Sequence, residues 1–159
     1  MNKAYLLLGS NMGNSRQQLL AANKLVKKNI GRITRQSKLY VTAAWGNTNQ
    51  PDFLNQVIVV ETKLSATELI KAILSVETDM GRIRTTKNAP RIIDIDILFF
   101  NKDIINKKNL VVPHPEIQNR RFVLVPLNEL SPAFVHPVLK KTIHQLLDSS
   151  PDKLDVKKF

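Results

Sequence analysis

Cysteine is absent from the 159 residues, which excludes disulfides, thiolate zinc sites and cysteine nucleophiles. Acidic residues are scarce. Against 24 Lys and Arg stand 13 Asp and Glu, and the net charge of +11 favours anionic partners, nucleic acid or nucleotide, without choosing between them. No apolar run approaches the roughly 18 residues of a membrane span and no charged-then-apolar leader opens the chain, so a soluble, cytoplasmic protein is expected. Repeats, linkers and low-complexity tracts are also lacking. That leaves one domain over residues 1–159, with 43% hydrophobic residues to build its core. The stretch Gly9-Ser10-Asn11-Met12-Gly13-Asn14 carries neither G-x-G-x-x-G nor a Walker ending, and reads as a structural turn.

What is present is organised around Ala89 to Phe100, dense in Ile, Leu and Phe and closed on its N-terminal side by Pro90, which predicts a largely buried strand. Asp94 and Asp96 interrupt it. Strand alternation puts both carboxylates on one face and Ile93, Ile95 and Ile97 on the other. Two neighbouring anions on a hydrophobic strand repel each other and lose hydration; a shared proton or a shared cation relieves them. Mg²⁺ accepts one or two carboxylates and completes its shell with water and phosphate oxygens. A solvated outer face is the plainer reading. Arg82, Arg84, Lys87 and Arg91, all just before the pair, favour phosphate chemistry instead.

The other elements follow in order. Ala4 to Leu8 predicts a strand; Ser15 caps a helix bearing Leu19, Ala22, Leu25 and Val26, and Gly31 stops it. A strand over Ile33 to Thr42 precedes a loop, Ala43 to Asp52, that holds Trp45. Phe53 to Thr62 is a third strand, with Asn55 on the same face as Phe53, and an amide there requires a partner. Ser65-x-x-Glu68 is a capping box opening a helix to about Met80, with Leu69, Ile73 and Val76 on its buried stripe and Glu77 at the margin, read as a positioning group more than a ligand contact. The order β-α-β-β-α-β predicts an α+β, ferredoxin-like core. Beyond it come an added hairpin (Ile104-Ile105 with Leu110 to Val112), a helix within Glu116 to Leu130 broken or bent at Pro126, and a last helix from Thr142 to Leu147. Asn119 to Phe122, at a helix start with two arginines, suits anions. His136 and His144 read as packing or surface residues.

Lys87-Asn88-Ala89-Pro90-Arg91-Ile92-Ile93-Asp94-Ile95-Asp96-Ile97-Leu98 resembles the signature of the 6-hydroxymethyl-7,8-dihydropterin pyrophosphokinase family of folate biosynthesis. Further blocks carry the resemblance over nearly the whole chain: Gly9-Ser10-Asn11, Gln50 to Asn55, Glu77 to Arg84, and Val112-Pro113-His114 through Asn119-Arg120. It implies transfer of pyrophosphate from ATP to the pterin hydroxymethyl group, releasing AMP, with Asp94 and Asp96 holding two Mg²⁺ ions. It further implies that Arg82 and Arg91 neutralise the transferred group and that Glu77, Arg84, His114 and Arg120 lie at the nucleotide. Thr42, Ala43, Trp45, Phe53, Asn55 and Phe122 would form the pterin slot. Small-molecule substrates, with no nucleic acid or membrane partner and a monomeric chain, complete the expectation, and the Gly81 to Pro90 loop would close over them. Two rival readings are weaker. An RNA-binding module of similar fold needs stacking aromatics on its central strands, where this chain puts two aspartates. A nucleotide-sugar transferase with an Asp-x-Asp metal site would bring a larger doubly wound domain.

Overall fold

In the computed structural model, which describes residues 1–44, 49–82 and 89–159, alternation along the first strand decides the layering. In β1 (Asn2–Ser10) the buried Ala4, Leu6 and Leu8 face one way, and Tyr5 and Leu7 the other. A strand apolar on both faces must be covered on both. On the first side lie α1 (Ser15–Asn29), through Leu19, Ala22 and Val26, and α2 (Ala66–Asp79), through Leu69, Ile73 and Val76. On the second lie α3 (Arg121–Leu130), through Val123, Leu124 and Leu127, and α4 (Ile143–Asp148), through Ile143 and Leu146.

Between these layers runs a six-stranded sheet. Its order is β5-β1-β4-β3-β8, with β2 also against β4, and every pairing is antiparallel. The members are β2 (Gly31–Gln36), β3 (Tyr40–Thr42), β4 (Phe53–Thr62), β5 (Asp94–Phe100) and β8 (Val156–Lys158). A separate hairpin joins β6 (Ile105–Lys107) to β7 (Leu110–Val112). The β1–β5 pairing slips between Tyr5 and Leu6, and at that bulge Leu98 and Phe99 both join the α3 and α4 side. Among the described residues, no helix is long and apolar enough to cross a membrane.

Several boundaries differ from the sequence expectation. Asn14, not Ser15, caps α1, its side chain accepting from Gln17 N. Gly31 opens β2 rather than merely ending a helix: a Cβ there would lie 2.0 Å from the Glu61 carbonyl oxygen, so only glycine lets β2 lie this close to β4. The strand expected from Ile33 to Thr42 is two strands. Ser37 breaks it, because its Oγ takes the Val57 N–H at 3.0 Å in place of a main-chain acceptor. β5 begins at Asp94 rather than Ala89. Pro126 lies inside α3 without ending it, removing only the N–H that would have reached the Phe122 carbonyl. The capping boxes Ser65/Glu68 and Thr142/Gln145 open α2 and α4.

The Gly31 contact is with backbone, which cannot swing aside. Gly31→Ala should therefore destabilise the fold by about 1–3 kcal/mol, the scale of forced overpacking. Urea unfolding measures it, and an unchanged midpoint would mean β2 and β4 separate freely.

Candidate active site

Strand register builds the floor of the site. Gly9 pairs with Asn55 on one side and with Asp94 on the other, and Leu7 pairs with Asp96, so these side chains share the α3 face of the sheet. Gly9 is required there, since a Cβ would lie 2.7 Å from Asn55 Oδ1 and fill the cleft. Thr42 pairs with Phe53 at the end of β3, and with Ala43 these residues form one wall. Arg120 and Phe122, from the start of α3, form the other, and Arg91 lines the same cleft. Asn55 is 3% exposed, and its Nδ2 donates to Thr42 Oγ1 at 3.0 Å. With the amide in this orientation, Oδ1 faces Gly9 at the cleft.

Charge is arranged along the same floor. Arg82 Nη1 bridges Glu77 Oε2 at 2.7 Å and Asp94 Oδ1 at 2.8 Å, and Arg91 Nε stands 3.2 Å from Asp94 Oδ2. Burial opposes the charge on Arg82, but Asp94 and Glu77 outweigh it and hold its pKa above the ordinary value. Glu77, 3% exposed, also accepts the Ile95 N–H at 2.8 Å, tying the end of α2 to the start of β5. Asp96 has no hydrogen bond or ion pair to any described residue. Burial first, and the Asp94 charge second, push its carboxyl up to about 7. A raised carboxyl beside a second carboxylate is a donor set that suits a hard divalent cation, with two protein oxygens and the remainder left to water or phosphate. Among the described residues no group of three acidic or histidine ligands forms a closed metal cage.

Both aromatic rings carry an arginine. The Arg91 guanidinium lies 4.9 Å from the Phe53 ring centre, and that of Arg120 lies 5.8 Å from Phe122. Asn11, 3% exposed, connects the flanking loops: its Nδ2 donates to Gln50 Oε1 and the Pro51 carbonyl, and its Oδ1 accepts the Arg91 N–H at 2.9 Å.

Of the residues singled out in the sequence, Thr42, Ala43, Phe53, Asn55, Arg91, Asp94, Asp96, Arg120 and Phe122 meet in this one cleft. Arg82 and Glu77 adjoin it through Asp94. His114 does not line it. Its main-chain N–H is bound to Leu98 O and its Nδ1 accepts the Glu116 N–H, while burial and Arg120 push its pKa down to about 4, so it is neutral at pH 7. Trp45 and Arg84 lie outside the described residues, as does most of the Gly81 to Pro90 loop. The start of α3, expected to receive an anion, already has one: Arg121 N donates to Asp152 Oδ2 at 2.8 Å. Leu7, Gly9 and Asn11 were not anticipated as site residues. Gly9 and Asn11 do stand in a block that carries the family resemblance.

Comparison with known proteins adds an independent line. The family model for 7,8-dihydro-6-hydroxymethylpterin-pyrophosphokinase (HPPK) matches residues 5–132. The chain is 39% identical over 151 residues to a folic acid synthesis protein of Schizosaccharomyces pombe, covering 94% of this chain but 21% of that protein. It therefore spans about a fifth of that relative's length. Two bacterial proteins are matched nearly end to end, both named 2-amino-4-hydroxy-6-hydroxymethyldihydropteridine pyrophosphokinase. The Aquifex aeolicus protein is 39% identical, with 91% of this chain and 90% of its own covered, and the Haemophilus influenzae protein is 33% identical, with 98% and 99% covered. In fold, the chain matches a crystal structure of Plasmodium falciparum HPPK-DHPS with a TM-score of 0.77 at 21% identity, over 92% of this chain and 43% of that one.

Asp96 makes the electrostatics measurable. Because its folded pKa is raised, between about 4 and about 7 the folded chain holds a proton that the unfolded chain releases, so its contribution to stability is present at low pH and lost as pH rises through 7. Without divalent cations, Asp96→Asn should raise the Tm at about pH 8, by about 2–4 °C per kcal/mol of repulsion relieved, and leave it unchanged at about pH 4. Equal Tm values for variant and wild type at both pH values would dismiss the strained carboxyl.

Proposed function

The chain belongs to the 7,8-dihydro-6-hydroxymethylpterin-pyrophosphokinase family, and from that premise we propose that it transfers pyrophosphate from ATP to the hydroxymethyl group of 6-hydroxymethyl-7,8-dihydropterin. The products are AMP and the pterin diphosphate, a step of folate synthesis. One observation carries the reading: a slot with two aromatic rings and a buried amide opens onto a carboxylate pair and its arginines, all within one cleft.

A pterin is flat and polar-edged. Phe53 and Phe122 supply apolar faces, and Asn55, with its amide held by Thr42, presents an acceptor to the donor edge of the ring. At the open end, Asp94 and Asp96 would hold magnesium, two ions in our reading, which brings Lewis-acid polarisation of the phosphates and of the attacking hydroxyl. In the transfer, the hydroxymethyl oxygen bonds to the β-phosphorus while the α,β bridging bond breaks; AMP takes the electron pair and the hydroxyl proton is released. No side chain forms a covalent intermediate. Arg82 and Arg91, which pair with Asp94, would neutralise charge on the transferred group. Arg120 serves the phosphates. Arg84 and His114 serve the nucleotide, and Trp45 serves the slot. Glu77 acts through Arg82 and β5.

The strand order supports a ferredoxin-like core, with β2 and β3 together as its second strand, extended by the β6–β7 hairpin, α3 and α4. We read the chain as one domain, monomeric and cytoplasmic, with ATP and the pterin as partners rather than nucleic acid or membrane.

Incubation with ATP, Mg²⁺ and the hydroxymethyl pterin should yield AMP and no ADP; ADP would mean single-phosphoryl chemistry. In the same assay Asp96→Asn, shape preserved and charge removed, should lower turnover at least about 10³-fold, or ~4 kcal/mol of barrier. Asn55→Leu tests the slot separately. With an ATP analogue bound, its pterin affinity should fall by about 2–4 kcal/mol, since the pterin edge groups lose their partner, and the analogue's own affinity should not change. Calorimetry that found normal pterin binding in Asn55→Leu would remove Asn55 from the slot.

A further inference from the structure

Residues 150–158 touch both walls of the cleft without lining it. Asp152 Oδ2 accepts the N–H of Arg121, the first residue of α3, at 2.8 Å, and its Oδ1 accepts the Leu154 N–H at 2.9 Å. Its own N–H rests on Ser150 Oγ at 3.3 Å. Just beyond, β8 pairs with β3, Val156 opposite Thr42 and Lys158 opposite Tyr40. Arg120 and Phe122 flank the N–H that Asp152 binds, and Thr42 leads into Ala43. One short segment thus joins the α3 wall to the β3 wall.

Each wall needs that support. The residue before α3, Arg120, makes no side-chain capping bond, so the acceptor and the negative charge at this helix start come from Asp152. β3 has three residues, and without β8 it would be an isolated edge strand held only by β4. We propose that residues 150–158 act as a strap that fixes the separation of Phe122 from the Thr42–Ala43 wall, and that Asp152 is a positioning residue for recognition of the pterin. The inference rests on the slot reading above. A flat ligand held between two walls responds steeply to their spacing, whereas the carboxylate pair at the phosphate end is built on β5, which pairs with β1 and not with the strap; of the residues assigned to the phosphates, only Arg120 stands beside it.

The bond can be cut from either side. Asp152→Ala removes the acceptor. Arg121→Pro removes the donor at the first helical position, where proline is accommodated, and Arg120, at φ −127° and ψ 105°, already has the extended conformation that a following proline demands. Arg121→Ala controls for the arginine side chain. Calorimetry with 6-hydroxymethylpterin, in Mg²⁺ and a non-hydrolysable ATP analogue, should show a loss of about tenfold in pterin affinity for Asp152→Ala and for Arg121→Pro, the scale of one charge-assisted hydrogen bond. The double variant should be no weaker than Asp152→Ala alone, because the Arg121 N–H bond can be cut only once. Arg121→Ala should bind pterin as the wild type does, and the ATP analogue, which meets the strapped wall through Arg120 alone, should lose clearly less affinity than pterin in the variants that cut the bond. Losses that multiply in the double variant, equal losses for pterin and nucleotide, or unchanged pterin affinity in both single variants would each overturn the strap. A wild-type protein that does not bind pterin at all would instead overturn the slot on which the strap rests.

Discussion

Two carboxylates on one strand face, next to each other and partly out of water, are the constraint to which the site answers. The chain meets it unevenly. Asp94 forms ion pairs with two arginines, Arg82 and Arg91, while Asp96 forms none, and its burial and the Asp94 charge outweigh the nearby Arg120 and Arg91 to shift its pKa up to about 7. Arg82 is shared with the buried Glu77, which in turn is anchored to the Ile95 N–H beside the acidic pair. Removing one member would leave another charge buried without its partner, so the cluster holds the end of α2 against the start of β5. In the proposed reaction the same arginines serve the phosphates. A cation on the carboxylates would compete with them for Asp94, and the groups that neutralise the site at rest become those that neutralise the transferred group.

Backbone geometry makes the cleft possible. At Gly9 a missing side chain leaves room between Asp94 and Asn55; any Cβ would meet the Asn55 amide. Asn11, one turn of chain further on, bonds both to Gln50 and Pro51 and to the Arg91 main chain, so the loop leading to β4 and the loop leading to β5 are fixed to one another. Neither residue carries chemistry. They set the distance between the groups that do, and buried polar side chains with every bond directed are well suited to that task.

Much of this was legible in the sequence, for physical reasons that differ by element. β4 and the helix after it were readable because Val and Ile runs, a capping box and a helical stripe of Leu69, Ile73 and Val76 all agree. The shared face of Asp94 and Asp96 followed from the two-residue period of a strand. The second strand was misread as continuous because Ser37 substitutes a hydroxyl for a main-chain acceptor, which alternation cannot reveal. Gly9 and Asn11 were passed over as turn residues, since their roles depend on strand register and on partners far along the chain. At the start of α3, the Arg121 main-chain N–H is taken by Asp152 from within the chain, a partner that lies too far along the sequence for local pattern to reveal.

The arginines over the two aromatic rings join the halves of the site. Arg91 both pairs with Asp94 and lies over the Phe53 ring, so its guanidinium occupies space above the ring face that a flat heterocycle would use. Holding it there costs little, because the cation has a carboxylate on one side and a π-face on the other. Phosphates that draw Arg91 toward the carboxylate pair would take it off the ring. In the proposed reaction, affinity at the slot and charge at the phosphate end would then be coupled through this side chain.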